Sequence, residues 1–153
     1  MDAAIGFDFQ NYEDMGENRR IIEYMEEIVS RMPEGYTYVP FVRLDVESNV
    51  PGCWYLDNEG NTSCFVGRIL EKMHWSKEEI AKLEGTTPNL GLGSGIDEDE
   101  YIADYWRGLP ITALRLLTQI QRMQDIGKPW SDIAEAARSS FNERKLYWFG
   151  PEY

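Results

Sequence analysis

Apolar side chains recur along Glu17–Met32 at Ile21, Met25, Ile28, Val29 and Met32, while Arg19, Arg20, Glu23, Glu26 and Glu27 fall off that stripe. A repeat close to 3.6 residues predicts a helix with one buried face over 17–32. Pro33 and Gly35 end it. The pattern then changes. Tyr36 to Leu44 (YTYVPFVRL) is aromatic and β-branched, which predicts a strand, and Pro40 confines that strand to a sheet edge or a bulge. Val50-Pro51-Gly52 turns the chain into a second strand, Cys53-Trp54-Tyr55-Leu56, and Ile5 to Phe9 alternates in strand fashion near the N-terminus.

The polar run Asp57-Asn58-Glu59-Gly60-Asn61 allows two registers. A tight hairpin centred between Asn58 and Glu59 would set Cys53 opposite Cys64. The other register puts Gly60 in the left-handed conformation and starts a helix at once, with Thr62 or Ser63 as its cap. The second is preferred, because Phe65, Ile69 and Met73, with Val66 and Leu70 beside them, fall at helical spacing over 64–74. Ser76-Lys77-Glu78-Glu79 is a capping box that opens a short helix burying Ile80 and Leu83 and ended by Gly85.

A Gly-rich loop over 86–95 leads to a second capping box, Asp97-Glu98-Asp99-Glu100, and a helix over 98–106 that Gly108 closes. Pro110 takes a first-turn position in the strongest helix, 110–126. Its apolar face is Ala113, Leu114, Leu116, Leu117, Ile120 and Met123, which leaves Gln119, Gln121 and Gln124 as its solvated face. Ser131 caps a last helix over 132–144 that turns Ile133, Ala136, Ala137 and Phe141 inward. These elements predict an α+β fold in one domain, 1–153: a small antiparallel sheet of about two to three strands over Tyr36–Leu56, packed on about five or six helices including a C-terminal αα-hairpin.

A chain of 153 residues buries roughly 70% of its unfolded surface and needs no disulfide or metal to hold a core. Fifteen basic residues against twenty-seven acidic ones give a net charge of −12. Such a surface lacks the clustered cations that displace counterions from phosphates, which excludes direct nucleic-acid binding. No apolar run approaches a membrane span, and Met1-Asp2-Ala3-Ala4 lacks the basic start of a signal peptide. A cytoplasmic protein is expected, with its two cysteines as free thiols in a reducing compartment.

The sequence offers no reactive constellation. His74 is the sole histidine, and along a continuous helix it would stand about 15 Å from Cys64. Cys53, Cys64 and His74 lack the spacing of a zinc knuckle, so the thiols read as two buried small apolar groups. Gly91-Leu92-Gly93-Ser94-Gly95 has no Lys at the phosphate-binding position and is followed by four acids, which would repel phosphate from the helix start. Asp97 and Asp99 lack the Gly and Glu that complete a calcium loop. The pair of helices from Pro110 to Arg144 opposes its cations with Asp132, Glu135 and Glu143, unlike a DNA-reading helix pair. Neither a catalytic group, a metal nor a cofactor is therefore expected.

Two strings carry a resemblance. Cys53-Trp54-Tyr55 followed by Asn61-Thr62-Ser63-Cys64-Phe65-Val66-Gly67-Arg68-Ile69-Leu70 resembles a C-x-Y … P/S-C-x-V-G-x-x-L pattern of small uncharacterised proteins of actinobacteria and their phages. Ile120 to Trp130 is similar to a later segment of such proteins. The resemblance covers about a quarter of the chain and implies a phage or prophage origin and action inside a bacterial host cell. It transfers no site residue.

The expected function is non-catalytic binding of a host or viral protein. Its expected contact surfaces are the acidic face Asp97, Glu98, Asp99, Glu100 and Asp104 and the aromatic tail Tyr147, Trp148 and Phe149, since aromatics are enriched at interface hot spots. A homodimer is an arrangement the sequence leaves open. One alternative is a DNA mimic that occupies the cationic groove of a restriction or CRISPR nuclease, which requires carboxylates spaced like phosphates on one face. Another is a small enzyme built on a pocket that gathers His74 with a carboxylate.

Overall fold

In a computed structural model, the described residues are 12–47, 49–88, 106 and 108–143, with side chains from Gly16 onward. The helices are α1 (Tyr12–Ser30), α2 (Phe65–Lys72), α3 (Lys77–Ala81), α4 (Ile111–Asp125) and α5 (Trp130–Asn142). The predicted periodicity of α1 is realised: Ile21, Ile22, Met25 and Ile28 are buried, and α1 packs on α5, α4 and α2. Its end tightens into bonds from Arg31 N to the Ile28 carbonyl (3.1 Å) and from Met32 N to the Val29 carbonyl (3.0 Å).

No sheet forms among the described residues, which corrects the expected α+β class to an essentially all-helical one. Among the described residues of Tyr36 to Leu56 the chain runs through turns and bends and pairs only at an isolated bridge between Phe41 and Gly52, and Leu56 pairs once more with Thr62. The reason lies in who satisfies the backbone. Trp54 N donates to the Tyr38 hydroxyl (3.1 Å), while Tyr55 N and Leu56 N donate to the two Glu84 carboxylate oxygens (2.9 and 3.0 Å). Leu44 N and the Val42 carbonyl are taken by the Asn58 side-chain amide (2.8 and 3.1 Å). Side chains thus occupy the positions a neighbouring strand would need, and a ladder cannot propagate. The Ile5–Phe9 strand and the 98–106 helix, apart from Trp106, lie outside the described residues.

The centre of the fold is α4. It packs on α1, α2 and α5, and this encirclement overturns the expected solvated face: Gln119, Gln121 and Gln124 are only 7%, 7% and 3% exposed. Around it the aromatic core closes. Phe65 stacks flat on Trp130 (centroids 4.4 Å, 9°), with Tyr36 edge-on against the same indole (4.8 Å, 79°). Trp130 N donates to the Tyr36 carbonyl (2.8 Å), so the long irregular segment is tied to the start of α5. Truncating an indole so fully buried to Ala costs about 3–5 kcal/mol.

The helix starts differ in how well they were anticipated. Ser76 and Glu79 form the expected capping box, with Glu79 N on the Ser76 hydroxyl (3.1 Å) and Ser76 N on the Glu79 carboxylate (2.8 Å). The α5 start is corrected: Pro129 holds the cap position and Ser131 sits within the first turn, because Pro129 supplies the carbonyl that Asp132 N and Ile133 N need (3.0 and 3.1 Å). Pro110 likewise precedes α4 as its cap.

Candidate functional site

Cys64 is the cap of α2; its sulfur accepts the Gly67 N–H at 3.4 Å. Neither Thr62 nor Ser63 serves, because each is engaged elsewhere: Thr62 bridges to Leu56 and donates to the Glu71 carboxylate (2.7 Å), and the Ser63 hydroxyl reaches Tyr38 (3.4 Å). Gly60 adopts the expected left-handed conformation (φ 85°). The reversal it permits lays Ser63 N on the Tyr55 carbonyl (2.8 Å). That contact brings the two cysteine-bearing segments side by side, so a hairpin-like reversal and a helix start at Phe65 coexist.

Three further groups hold the segments in place. Gly67 lies so near the 53–56 segment that an added Cβ would stand 2.6 Å from the Tyr55 carbonyl oxygen. The Tyr38 hydroxyl accepts Trp54 N, next to Cys53, and the Ser63 hydroxyl, next to Cys64. Burial pushes the Tyr38 phenol up to about 12. From α4, the Gln124 carbonyl oxygen accepts Phe65 N (2.8 Å), so a glutamine of one helix satisfies the first turn of another.

The same glutamine connects to the thiols. Gln124 and Gln121 donate their Nε2 to the Cys53 sulfur at 3.2 and 3.1 Å, and both approach the Asp125 carboxylate (3.5 and 3.3 Å). Cys53 is exposed, Cys64 is buried, and both are free thiols. A hydrogen bond from the Cys64 thiol, reinforced by the two amides, holds Cys53 below the ordinary thiol range against the opposing effects of burial and the Asp125 charge. Burial pushes Cys64 far the other way. Burial also raises the Asp125 carboxyl, against hydrogen bonds from Gln124, Gln121 and Cys53. Two thiols of opposite character and a carboxylate therefore meet, where the spacing had pointed to two separately buried apolar groups. The signal available was Gln121, Gln124 and Asp125 on one face of a helix at i, i+3 and i+4. A polar face of this kind is indistinguishable in sequence from a solvated one.

A second constellation pins the chain at residues 41–45. Arg43 grips Asp45 bidentately (2.8 and 2.7 Å) and reaches the Leu56 carbonyl (3.2 Å) and Glu84 (3.0 Å). Its guanidinium lies 5.0 Å above the Trp54 ring, whose Nε1 donates to the Phe41 carbonyl (3.1 Å). On this tethered frame Val39, Leu44, Val46 and Val50 remain 68%, 81%, 39% and 69% exposed.

His74 stands exposed with φ 71° just beyond α2, and its imidazole makes no hydrogen bond to a described residue. Among the described residues no group of three or more His, Cys, Asp or Glu side chains is placed to hold a metal ion, and no helix is long and apolar enough to cross a membrane. Asp97, Glu98, Asp99, Glu100 and Asp104, and Tyr147, Trp148 and Phe149, lie outside the described residues. No protein-family model, curated protein or solved structure matches the chain.

Proposed function

We propose that this protein acts by binding a protein partner, host or viral, inside a bacterial cell, and that the 39–50 segment is its contact surface. The observation that supports this reading is the exposure of Val39, Leu44, Val46 and Val50 around residues 41–44, whose backbone is held by the Trp54 indole and the Asn58 amide. Apolar side chains left in water in one region mark interaction surfaces. A segment already tethered loses little conformational entropy on docking, which favours affinity. The acidic Asp97–Asp104 run and the Tyr147–Phe149 tail are proposed as further contacts for such a partner, with the net charge of −12 favouring a basic one.

The test is affinity capture from the native host at low and high salt, run beside the Leu44→Asp variant. One partner retained at both salt concentrations by the wild type and lost by Leu44→Asp is the expected result. Capture that vanishes in high salt and ignores Leu44→Asp would transfer the proposal to an acidic nucleic-acid mimic.

A further inference from the structure

We propose that Cys53 and Cys64 form a thiol–disulfide exchange site, in which Cys53 attacks a disulfide substrate and the buried Cys64 beside it resolves the product. The two roles demand different surroundings, and the fold supplies them. An attacking sulfur must be reachable and must be stabilised as a thiolate. Cys53 is exposed, and two amide N–H groups point at its sulfur from 3.1 and 3.2 Å. The direction of its acidity agrees, since the Cys64 thiol and both amides favour the Cys53 anion. A resolving sulfur must be shielded from the substrate yet adjacent to the first. Cys64 is fully buried at the start of α2, and the fold draws its segment onto that of Cys53. Gln124 gives its Nε2 to the Cys53 sulfur and accepts the N–H of Phe65, next to Cys64, on its Oε1, while Ser63 N, on the other side of Cys64, donates to the Tyr55 carbonyl.

Gln121 is almost fully buried, and while its Nε2 is spent on Cys53 and Asp125, its Oε1 has no hydrogen-bond partner. With the Nε2 groups of Gln121 and Gln124 both aimed at Cys53, the sulfur lies among donors that favour its thiolate.

The step balances without any further reactant. The Cys53 thiolate forms a bond to one sulfur of the substrate disulfide and expels the other as a thiolate. Cys64 then gives up its proton and attacks the Cys53 sulfur, which expels the second substrate thiolate and closes the Cys53–Cys64 disulfide. Two electrons pass from the cysteine pair to the substrate, and the two thiol protons end on the two departing sulfurs. Asp125, whose carboxylate shares the Gln121 and Gln124 amides with the Cys53 sulfur, is the nearby group that can accept the first proton.

The experiment uses the full reduced chain with glutathione disulfide, followed by acid quenching and intact-mass measurement. Wild type is expected to lose two hydrogens with no lasting adduct. Cys64→Ser keeps an oxygen where the cap sulfur accepts the Gly67 N–H, and should accumulate a mixed disulfide with glutathione on Cys53. Cys53→Ser should not react. Wild type that remains reduced, or that stops at a glutathione adduct, overturns the proposal without reference to either variant. So does a Cys53→Ser protein that reacts as fast as wild type. A parallel arm offers insulin with dithiothreitol as the reductant and follows turbidity. Turbidity accelerated by wild type and abolished in Cys53→Ser assigns protein disulfides as substrates, whereas reaction with glutathione disulfide alone assigns small ones.

Discussion

Gly67 in α2 and Tyr55 in the 53–56 segment approach so closely that a Cβ on the former would lie 2.6 Å from the carbonyl oxygen of the latter and 3.2 Å from its Cα. Both atoms are backbone, so no side-chain rotation relieves the clash. Helix propensity alone favours Ala over Gly by about 1 kcal/mol. The contact should reverse that sign, and Gly67→Ala is expected to lose about 1–3 kcal/mol, the cost of overpacking. Urea unfolding measures it; a midpoint equal to or above wild type would show that the segments can separate freely.

Glu84 stands in for a missing strand. Its carboxylate accepts Tyr55 N and Leu56 N and also binds Arg43. Glu84→Ala strands two backbone donors and one guanidinium contact, and the expected loss is about 2–4 kcal/mol, with Glu84→Gln intermediate because it keeps one acceptor. If both variants melt with the wild type, water or another group must replace the carboxylate.

The α1–α5 contact carries a pH signature. Arg138 holds Glu26 through two bonds of 2.7 and 2.9 Å. This hydrogen bonding keeps the Glu26 carboxyl below its ordinary value of 4.5 in the folded chain. A depressed folded value means that the unfolded chain binds the proton first on acidification. The contribution is therefore present above about pH 4.5 and is lost as pH falls through the lower folded value. Both groups are partly exposed, so it amounts to less than about 1 kcal/mol. The stability difference between wild type and Arg138→Met should be measurable near neutrality and shrink towards zero in acid; a difference independent of pH would place the effect in packing by the arginine stem.

Tyr38 titrates at the opposite end. Burial raises its phenol from 10.0 to about 12. The folded chain keeps the proton that the unfolded chain releases, so this contribution is intact below pH 10 and is lost as pH rises towards about 12. Tyr38→Phe removes the hydroxyl bonded to Trp54 N and Ser63, and should be less stable than wild type near neutrality. Its stability should also fall less steeply with pH above 10. Parallel slopes for the two proteins in denaturant unfolding across that range would contradict this assignment.

The pattern of residues by itself determined the helices α1, α2, α4 and α5, the Ser76–Glu79 capping box and the left-handed Gly60. Each follows from interactions within a few positions of the chain: helical periodicity, a cap three residues from its partner, and a glycine free of a Cβ. Only the tertiary structure decided the rest. Whether Tyr55 N–H meets a strand or the Glu84 carboxylate, whether Gln121 faces water or Cys53, and whether two thiols eleven positions apart come together all depend on what packs against them. A β-prone segment states its readiness to donate hydrogen bonds, not the acceptor. A polar helix face states that it needs partners, and here α1, α2 and α5 enclose α4 so that those partners are a sulfur and a helix N-terminus rather than solvent.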